Sequence, residues 1–483
     1  MQRGMMEIPF IGRKHELKLI SDLQKKGSAS LVVVYGRRRI GKSRLIQEFG
    51  KDKKFYAFEG LYPKKGSTTQ DQLDIFHQRF TSYFSTKESA FSNWSQAFQN
   101  LAKQTRKGKV IILLDEISWM GSCDHNFLGK LKNAWDLEFK QNPNLILVLC
   151  GSVSNWVEKN LLSHRGFFGR ISLKLKMGEL SLPECNQFWS HQGAKISNYE
   201  KLKILSVTGG IPKYLEEIDP SLSAEENIQR LCFLPSGLLF NDYDFIFSSM
   251  LEHQSALYQQ IVEVLCNRNL LHQDLLRELN KKGGGVITDY TNELETAGFI
   301  SKDFTWHLKT GQFSRFCQYR LSDNYIRFYI KYILPNTPKI KAGKFTTASL
   351  QTLPGWTSIM GIQVENLVLN NRLPLLKLLN IYPSDVVFDG PFFQRKTAKI
   401  KGCQIDYLIQ TKQGVLYLCE IKFSRSTISA CIIDEVKEKM NRLSTPHNTS
   451  IVPILIHIGE VHDDVMDSQF FGKTINIGEL FGV

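Results

Sequence analysis

The sequence predicts an α/β chain that opens on a five-stranded parallel sheet, passes through a helical middle and ends in a second α/β unit. Three observations carry this expectation. Apolar, β-branched runs at Leu31–Tyr35 and Val110–Leu114 each end in polar residues, as buried strands do. Three further runs, Lys54–Phe58, Leu145–Cys150 and Ile171–Leu175, alternate with helical stretches, including a long one around Asp71–Ala102. Near the C-terminus, Ile405–Ile409 and Val415–Ser424 alternate like strands on either side of the turn TKQG.

With 483 residues the chain is too long for one core, and about three domains are expected, at 1–220, 221–345 and 346–483. A hydrophobic content of 42% with 22% charged residues belongs to a globular protein in water. No apolar run approaches the roughly 18 residues of a membrane span, and MQRGMMEIPF lacks a signal-peptide core. Nine scattered cysteines with no Cys-x-x-Cys pair suggest buried thiols in a reducing cytoplasm. The formal charge of +14 is uneven: residues 1–220 carry +13, 221–300 carry −6, 301–350 carry +7, and 351–483 are neutral. A basic first half suits a polyanion such as DNA, whereas the acidic 221–300 suits a protein partner.

The first strand leads into GRRRIGKS, which comprises Gly36, Arg37, Arg38, Arg39, Ile40, Gly41, Lys42 and Ser43, followed at once by Arg44 in a helical pattern. Glycines at both ends let backbone N–H groups turn inward, and the helix N-terminus adds further donors. Lys42 brings a mobile positive charge, and Ser43 offers a hydroxyl to Mg²⁺. Strand, loop and helix in this order predict ATP binding. The second half of such a site belongs on a neighbouring parallel strand, and VIILLDE supplies Asp115 for the metal and Glu116 to polarise the attacking water. Ser152, just past the fourth run, is placed to sense the γ-phosphate. Arg165 and Arg170 precede the fifth run, where either could stabilise transferred charge or simply be solvated. TGGIPKYLEE sets two glycines before a proline, a close-approach or packing turn with Lys213 nearby.

FIGRKHELKLI, GRRRIGKS, VIILLDE, CGS, FFGR and GGIPKYL, in this order over residues 8–216, resemble the archaeal-type ATPases of the AAA+/STAND class. The resemblance implies that Gly12 and Arg13 border the adenine, that Ser152 is a first sensor, and that Ile211 and Pro212 belong to a helical lid. It also implies ATP hydrolysis. Arg170, from its position, could act within its own subunit or across the interface of a homo-oligomer.

SALYQQIVEVLC, LHQDLLRELN and VITDYTNELETAGFI form a three-helix rhythm, with FTWHLK and FSRFCQYRL as the wing of a winged-helix-like region. Ile333–Gly343 reads as a linker. In the last domain Asp406, Glu420 and Lys422 lie on adjacent strands, with Glu420 and Lys422 on one face. Two carboxylates there can hold Mg²⁺ or Mn²⁺ while Lys422 supports charge on phosphate, and Glu365, on a preceding helix, could reach the same metal. The set resembles the PD-(D/E)XK nuclease-like superfamily, which implies a restriction-endonuclease-like α/β domain. It leaves open an active nuclease, a degenerate domain that binds nucleic acid or serves as a scaffold, and a structural ion-pair cluster.

Overall fold

A computed structural model describes residues 9–86, 89–152, 154–163, 165–191, 195–248, 255–281, 284–345, 349–398 and 400–483. Most of the N-terminal MQRGMMEIPF segment and part of the KKGGG break lie outside those residues. The chain divides into two compact units, Met1–Gly178 and Glu179–Val483. That division falls well before residue 220, because the helix Asn198–Thr208 packs with later helices such as Ala224–Cys232 and Trp356–Asn370.

The first unit contains five strands: β1 (Ser30–Tyr35), β2 (Lys54–Glu59), β3 (Val110–Asp115), β4 (Leu145–Gly151) and β5 (Ile171–Lys176). They form one parallel sheet in the order β2-β3-β4-β1-β5, built from the five runs anticipated in the sequence. Strands β1 and β4 are buried along their whole length, which explains their lack of polar alternation. An aromatic core of Phe58, Phe76, Trp94, Phe98 and Trp135 packs against the sheet, with Phe58 and Phe76 stacked at 4.3 Å.

The long helix expected around Asp71–Ala102 is two helices, Thr69–Phe84 and Trp94–Gln104. The first starts at a capping box between Thr68 and Asp71 and stops where Ser85 turns left-handed, at φ 51°. The second is capped by Asn93, whose side chain accepts the Gln96 N–H at 3.0 Å. Hydrophobic periodicity alone did not register these caps.

In the second unit the three expected helices appear as Ser255–Leu265, His272–Glu278 and Gly285–Thr296. A short strand β6 (Leu270–Leu271) and the hairpin β7 (Ile300–His307) and β8 (Gln312–Leu321) complete an antiparallel sheet ordered β6-β8-β7. Ile333–Gly343 is not an open linker. It contains helical turns at Leu334–Asn336 and Thr337–Lys341, with Pro338 in the first turn and Ile340 buried.

The last sheet runs β13-β12-β11-β10-β9, from β9 (Val386–Gln394), β10 (Cys403–Thr411), β11 (Val415–Phe423), β12 (Ser450–Ile458) and β13 (Lys473–Asn476). Pairs β9–β10 and β10–β11 are antiparallel, and β11–β12 and β12–β13 are parallel, so the sheet is mixed. The wing is stitched to it: Thr305 Oγ1 donates to the Phe393 carbonyl, and Trp306 Nε1 donates to Gln410 Oε1, both at 2.8 Å. Trp306 shares a core with Phe392 and Leu408. No helix among the described residues is long and apolar enough to cross a membrane.

Candidate nucleotide site and a second carboxylate site

The loop Gly36–Ser43 joins β1 to the helix Lys42–Gly50. Gly36 has φ 150°, and a Cβ there would meet the Met177 carbonyl oxygen at 2.4 Å, so the close passage requires glycine. Gly41, at φ 88°, caps the helix. Arg39 also lies left-handed, at φ 67°.

Inside this turn the buried Lys42 donates to the carbonyls of Gly36 and Arg37 at 3.0 and 2.9 Å and to Ser152 Oγ at 3.0 Å. The Ser152 hydroxyl in turn donates to Glu116 Oε1 at 2.5 Å, and its N–H reaches Glu116 Oε2 at 3.3 Å. Ser43 Oγ donates to Asp115 Oδ2 at 2.5 Å, while Asp115 Oδ1 accepts the Glu116 N–H at 3.0 Å. Residues from β1, β3 and β4, which adjoin in the sheet, therefore converge at their C-terminal ends. Glu116 adopts φ 49° at the start of Ile117–Met120, which turns the chain sharply past Asp115.

Arg13 is buried, pairs with Glu16 at 3.3 Å, and donates to the carbonyls of Ile40 and Gly178 at 3.3 and 2.5 Å. It thus ties the start of the domain, just after Gly12 at φ 74°, to the Gly36–Ser43 loop. Arg37 is buried, and the Arg38 guanidinium lies 5.4 Å from the Trp119 ring centre. Arg44 is in the first turn of the helix. Arg165 is exposed. Arg170 grips Asp136 with Nε at 2.9 and 3.0 Å and Nη2 at 2.8 Å, which holds that carboxyl well below the usual range.

Glu59, at the end of β2, was not singled out in the sequence. It pairs in register with Asp115, and partial burial followed by the charges of Asp115 and Glu116 raises its carboxyl although its outer edge meets solvent. An acid at the end of the strand beside VIILLDE was the available signal.

In the second unit Ile211 is buried and precedes Pro212, the first residue of the helix Pro212–Glu216. The double glycine approaches its own unit's backbone: a Cβ on Gly210 would meet the Leu180 carbonyl oxygen at 2.3 Å. Lys213 pairs with Glu217 at 2.8 Å.

The C-terminal residues also converge. The register Tyr407↔Cys419 sets Asp406 opposite Glu420 on β10 and β11. Asp406 Oδ2 accepts the Ile421 N–H at 3.0 Å. Glu420 is buried, with Lys422 at 3.1 Å from Oε1 and Lys439 at 2.5 Å from Oε2. Lys439, from the helix Cys431–Arg442, also lies 3.6 Å from Asp406, and Lys422 pairs with Glu435 at 2.9 Å. Burial and then the Asp406 charge raise the Glu365 carboxyl to about 7, and burial with the Glu420 charge raises that of Asp406. Among the described residues no group of three or more His, Cys, Asp or Glu side chains is arranged to hold a metal ion. Lys439 escaped the sequence reading because EVKEKM looks like any solvated helix face.

Residues 10–218 match the family of ATPase domains found predominantly in Archaea. This region is an archaeal-type Walker ATPase, binding and hydrolysing ATP. The ATPase is followed by an α/β domain with a mixed sheet. An uncharacterised protein of Methanocaldococcus jannaschii is 26% identical over 343 residues, covering 70% of this chain and 71% of its own. An uncharacterised ATP-binding protein of the same organism is 40% identical over 47 residues, 10% of this chain and 80% of its own. Among solved structures, a Walker-type ATPase of Pyrococcus abyssi matches with TM-score 0.49 and 16% identity, covering 66% of this chain and 96% of its own. The ORC2 protein of Aeropyrum pernix, solved as ADPNP–ADP complexes, matches with TM-score 0.47 and 13% identity over 70% and 97%.

Proposed function

We propose that this ATPase works on DNA, using Mg²⁺-dependent ATP hydrolysis in the first unit to drive or gate what the second unit does. The observation that carries the hydrolytic part is the chain from Lys42 through Ser152 to Glu116, in which one serine links the phosphate-side ammonium to the water-side carboxylate. Lys42 would exchange two loop carbonyls for phosphate oxygens, and Glu116 would orient the attacking water as Ser152 reports on the phosphate. Ser43 and Asp115 fit a magnesium ion: both are hard oxygen donors, already in contact at the mouth of the loop. The ion would neutralise charge on the phosphates. Gly12 and Arg13 would border the base, Ile211 and Pro212 would serve as lid, and Arg170 would act on the transferred phosphoryl group once freed from Asp136. These roles accord with an AAA+/STAND placement and with a homo-oligomer.

DNA as partner rests on charge, since residues 1–220 carry +13 of the formal +14. ATP turnover measured with and without DNA tests this: stimulation is expected, and turnover indifferent to DNA at low salt contradicts it.

For the C-terminal site the residues as arranged do not fit a divalent ion, because lysine ammoniums occupy both oxygens of Glu420 and flank Asp406. The best-supported reading is a nuclease-like domain that binds rather than cuts. A second reading, metal-dependent cleavage with Mg²⁺ or Mn²⁺ near Glu365, Asp406 and Glu420, draws on the raised Glu365 carboxyl, since clustered acids invite a cation. Metal titration of the full chain separates the two. Cleavage requires Mn²⁺ binding that Asp406→Asn weakens while ATP turnover stays intact. A signalling role would instead use a protein partner docked on the acidic 221–300 segment.

A further inference from the structure

Beside the Asp406–Glu420 pair lies a groove of about 720 Å³, whose lining includes Gln318, Arg395, Gln404, Lys422, Lys439 and Arg442. One wall comes from the winged-helix sheet, through Gln318 on β8 and its register partner Leu271 on β6. The other comes from the C-terminal sheet. Its cations are of two kinds. Lys422, Lys439 and Arg442 are spent on Glu435, Glu420 and Glu438. Arg395 makes no ion pair among the described residues, and neither do Lys396 and Lys401, which adjoin the lining residues Arg395 and Gly402 in the chain. Arg395, Lys396 and Lys401 belong to RKTAKIK, the β9–β10 connection, which holds four cations and no acid in its sequence.

Arg395 also has an unusual neighbour. Its guanidinium lies 4.6 Å from the centre of the Phe316 ring, and Phe316, two residues before Gln318 on β8, remains 44% exposed. A planar cation set against an exposed ring, at the rim of a groove with unpaired positive charge, presents a flat π-surface next to phosphate-seeking groups. Bases inside a duplex are stacked on one another and offer only edges, so only an unpaired base can use that surface.

We propose that this groove binds single-stranded nucleic acid, with a base stacked at the Phe316–Arg395 rim and the backbone tracked by Lys396 and Lys401. The proposal rests on the nucleic-acid reading above and narrows it to an unpaired strand held jointly by the wing and the C-terminal sheet. The lining carboxylates Glu420, Glu435 and Glu438 are each paired with one of Lys439, Lys422 and Arg442, so the floor adds no unpaired negative charge against the strand. Amide side chains such as Gln318 and Gln404 supply sequence-tolerant hydrogen bonds.

The test is fluorescence anisotropy of the full chain with a labelled mixed-sequence DNA single strand and with the matching duplex, in chelator and at low salt. The wild type should prefer the single strand. Phe316→Ala should weaken single-strand binding about tenfold, with duplex binding and ATP turnover little changed, whereas Phe316→Trp should retain it. Arg395→Ala should weaken single-strand binding as Phe316→Ala does, whereas Lys401→Ala should reduce its salt dependence by about one phosphate contact. Duplex preference, or single-strand affinity unmoved by Phe316→Ala, overturns the groove while leaving the ATPase free to act on DNA elsewhere. Wild-type binding to neither form overturns the groove and the DNA reading together, and leaves the wing surface to a protein partner.

Discussion

The two carboxylate sites of this chain use the same ingredients to opposite effect. Each sets two acids together on a sheet with lysine close by: Asp115 and Glu116 are consecutive at the end of one strand, and Asp406 and Glu420 lie opposite one another on two. In the nucleotide site Lys42 spends its three donors on two carbonyls and a serine, all neutral groups. In the C-terminal site Lys439 and Lys422 are bound directly to Glu420. An ammonium held by neutral oxygens can transfer to a phosphate at modest cost, because the charged acceptor is the stronger partner. One already paired with a buried carboxylate cannot leave without uncovering that charge, which costs several kcal/mol in general. The first arrangement is therefore poised for an anion, and the second is satisfied as it stands.

Substitutions can break or sharpen this contrast. The largest effect belongs to Lys42→Ala, which should abolish phosphate release in a steady-state assay; residual turnover near the wild-type rate would mean that the ammonium is not the phosphate ligand. Next is Arg170→Ala, expected to slow hydrolysis about a hundredfold with nucleotide affinity nearly unchanged, the usual loss for one oriented donor. Asp136→Asn, which frees the same arginine, should cost far less. Equal slowing in both variants would make the Arg170–Asp136 pair a structural brace only.

At the second site, Lys439→Met should raise Mn²⁺ affinity measured by calorimetry, because Glu420 and Asp406 lose their nearest cation. Unchanged affinity would show that Lys439 is not what keeps the acids satisfied. The smallest effect concerns Glu365, whose carboxyl rises from an ordinary 4.5 to about 7 on folding. Between those values the folded chain keeps a proton that the unfolded chain has released, so stability should fall as pH rises through that window and level off above it. Glu365→Gln should flatten this part of the melting-temperature profile, and an unaltered slope would assign it to Asp406 or another group.

Much of the first unit could be read from the sequence, because its signals are local. Buried parallel strands announce themselves as unbroken apolar runs, and the loop glycines are fixed in spacing by the backbone they must bend. The wing and its helices were also visible through periodicity. What escaped depends on contacts between distant residues. Nothing near Arg170 in the sequence points to Asp136, and nothing around Lys439 points to Glu420, since both pairs form across elements. The link between Arg395 and Phe316 was hidden likewise, as was the burial of Ile340 that turns an apparent linker into packed helix.

The most direct test is nucleotide occupancy and turnover measured together in Glu116→Gln with Mg²⁺ present. The exchange keeps the acceptor that holds Ser152 and removes only the charge that, in the proposed mechanism, would polarise the water. The expected result is ATP bound as tightly as by the wild type, with hydrolysis lost. Loss of binding as complete as in Lys42→Ala would contradict the account, because Glu116 would then be part of the nucleotide's seat rather than of its chemistry.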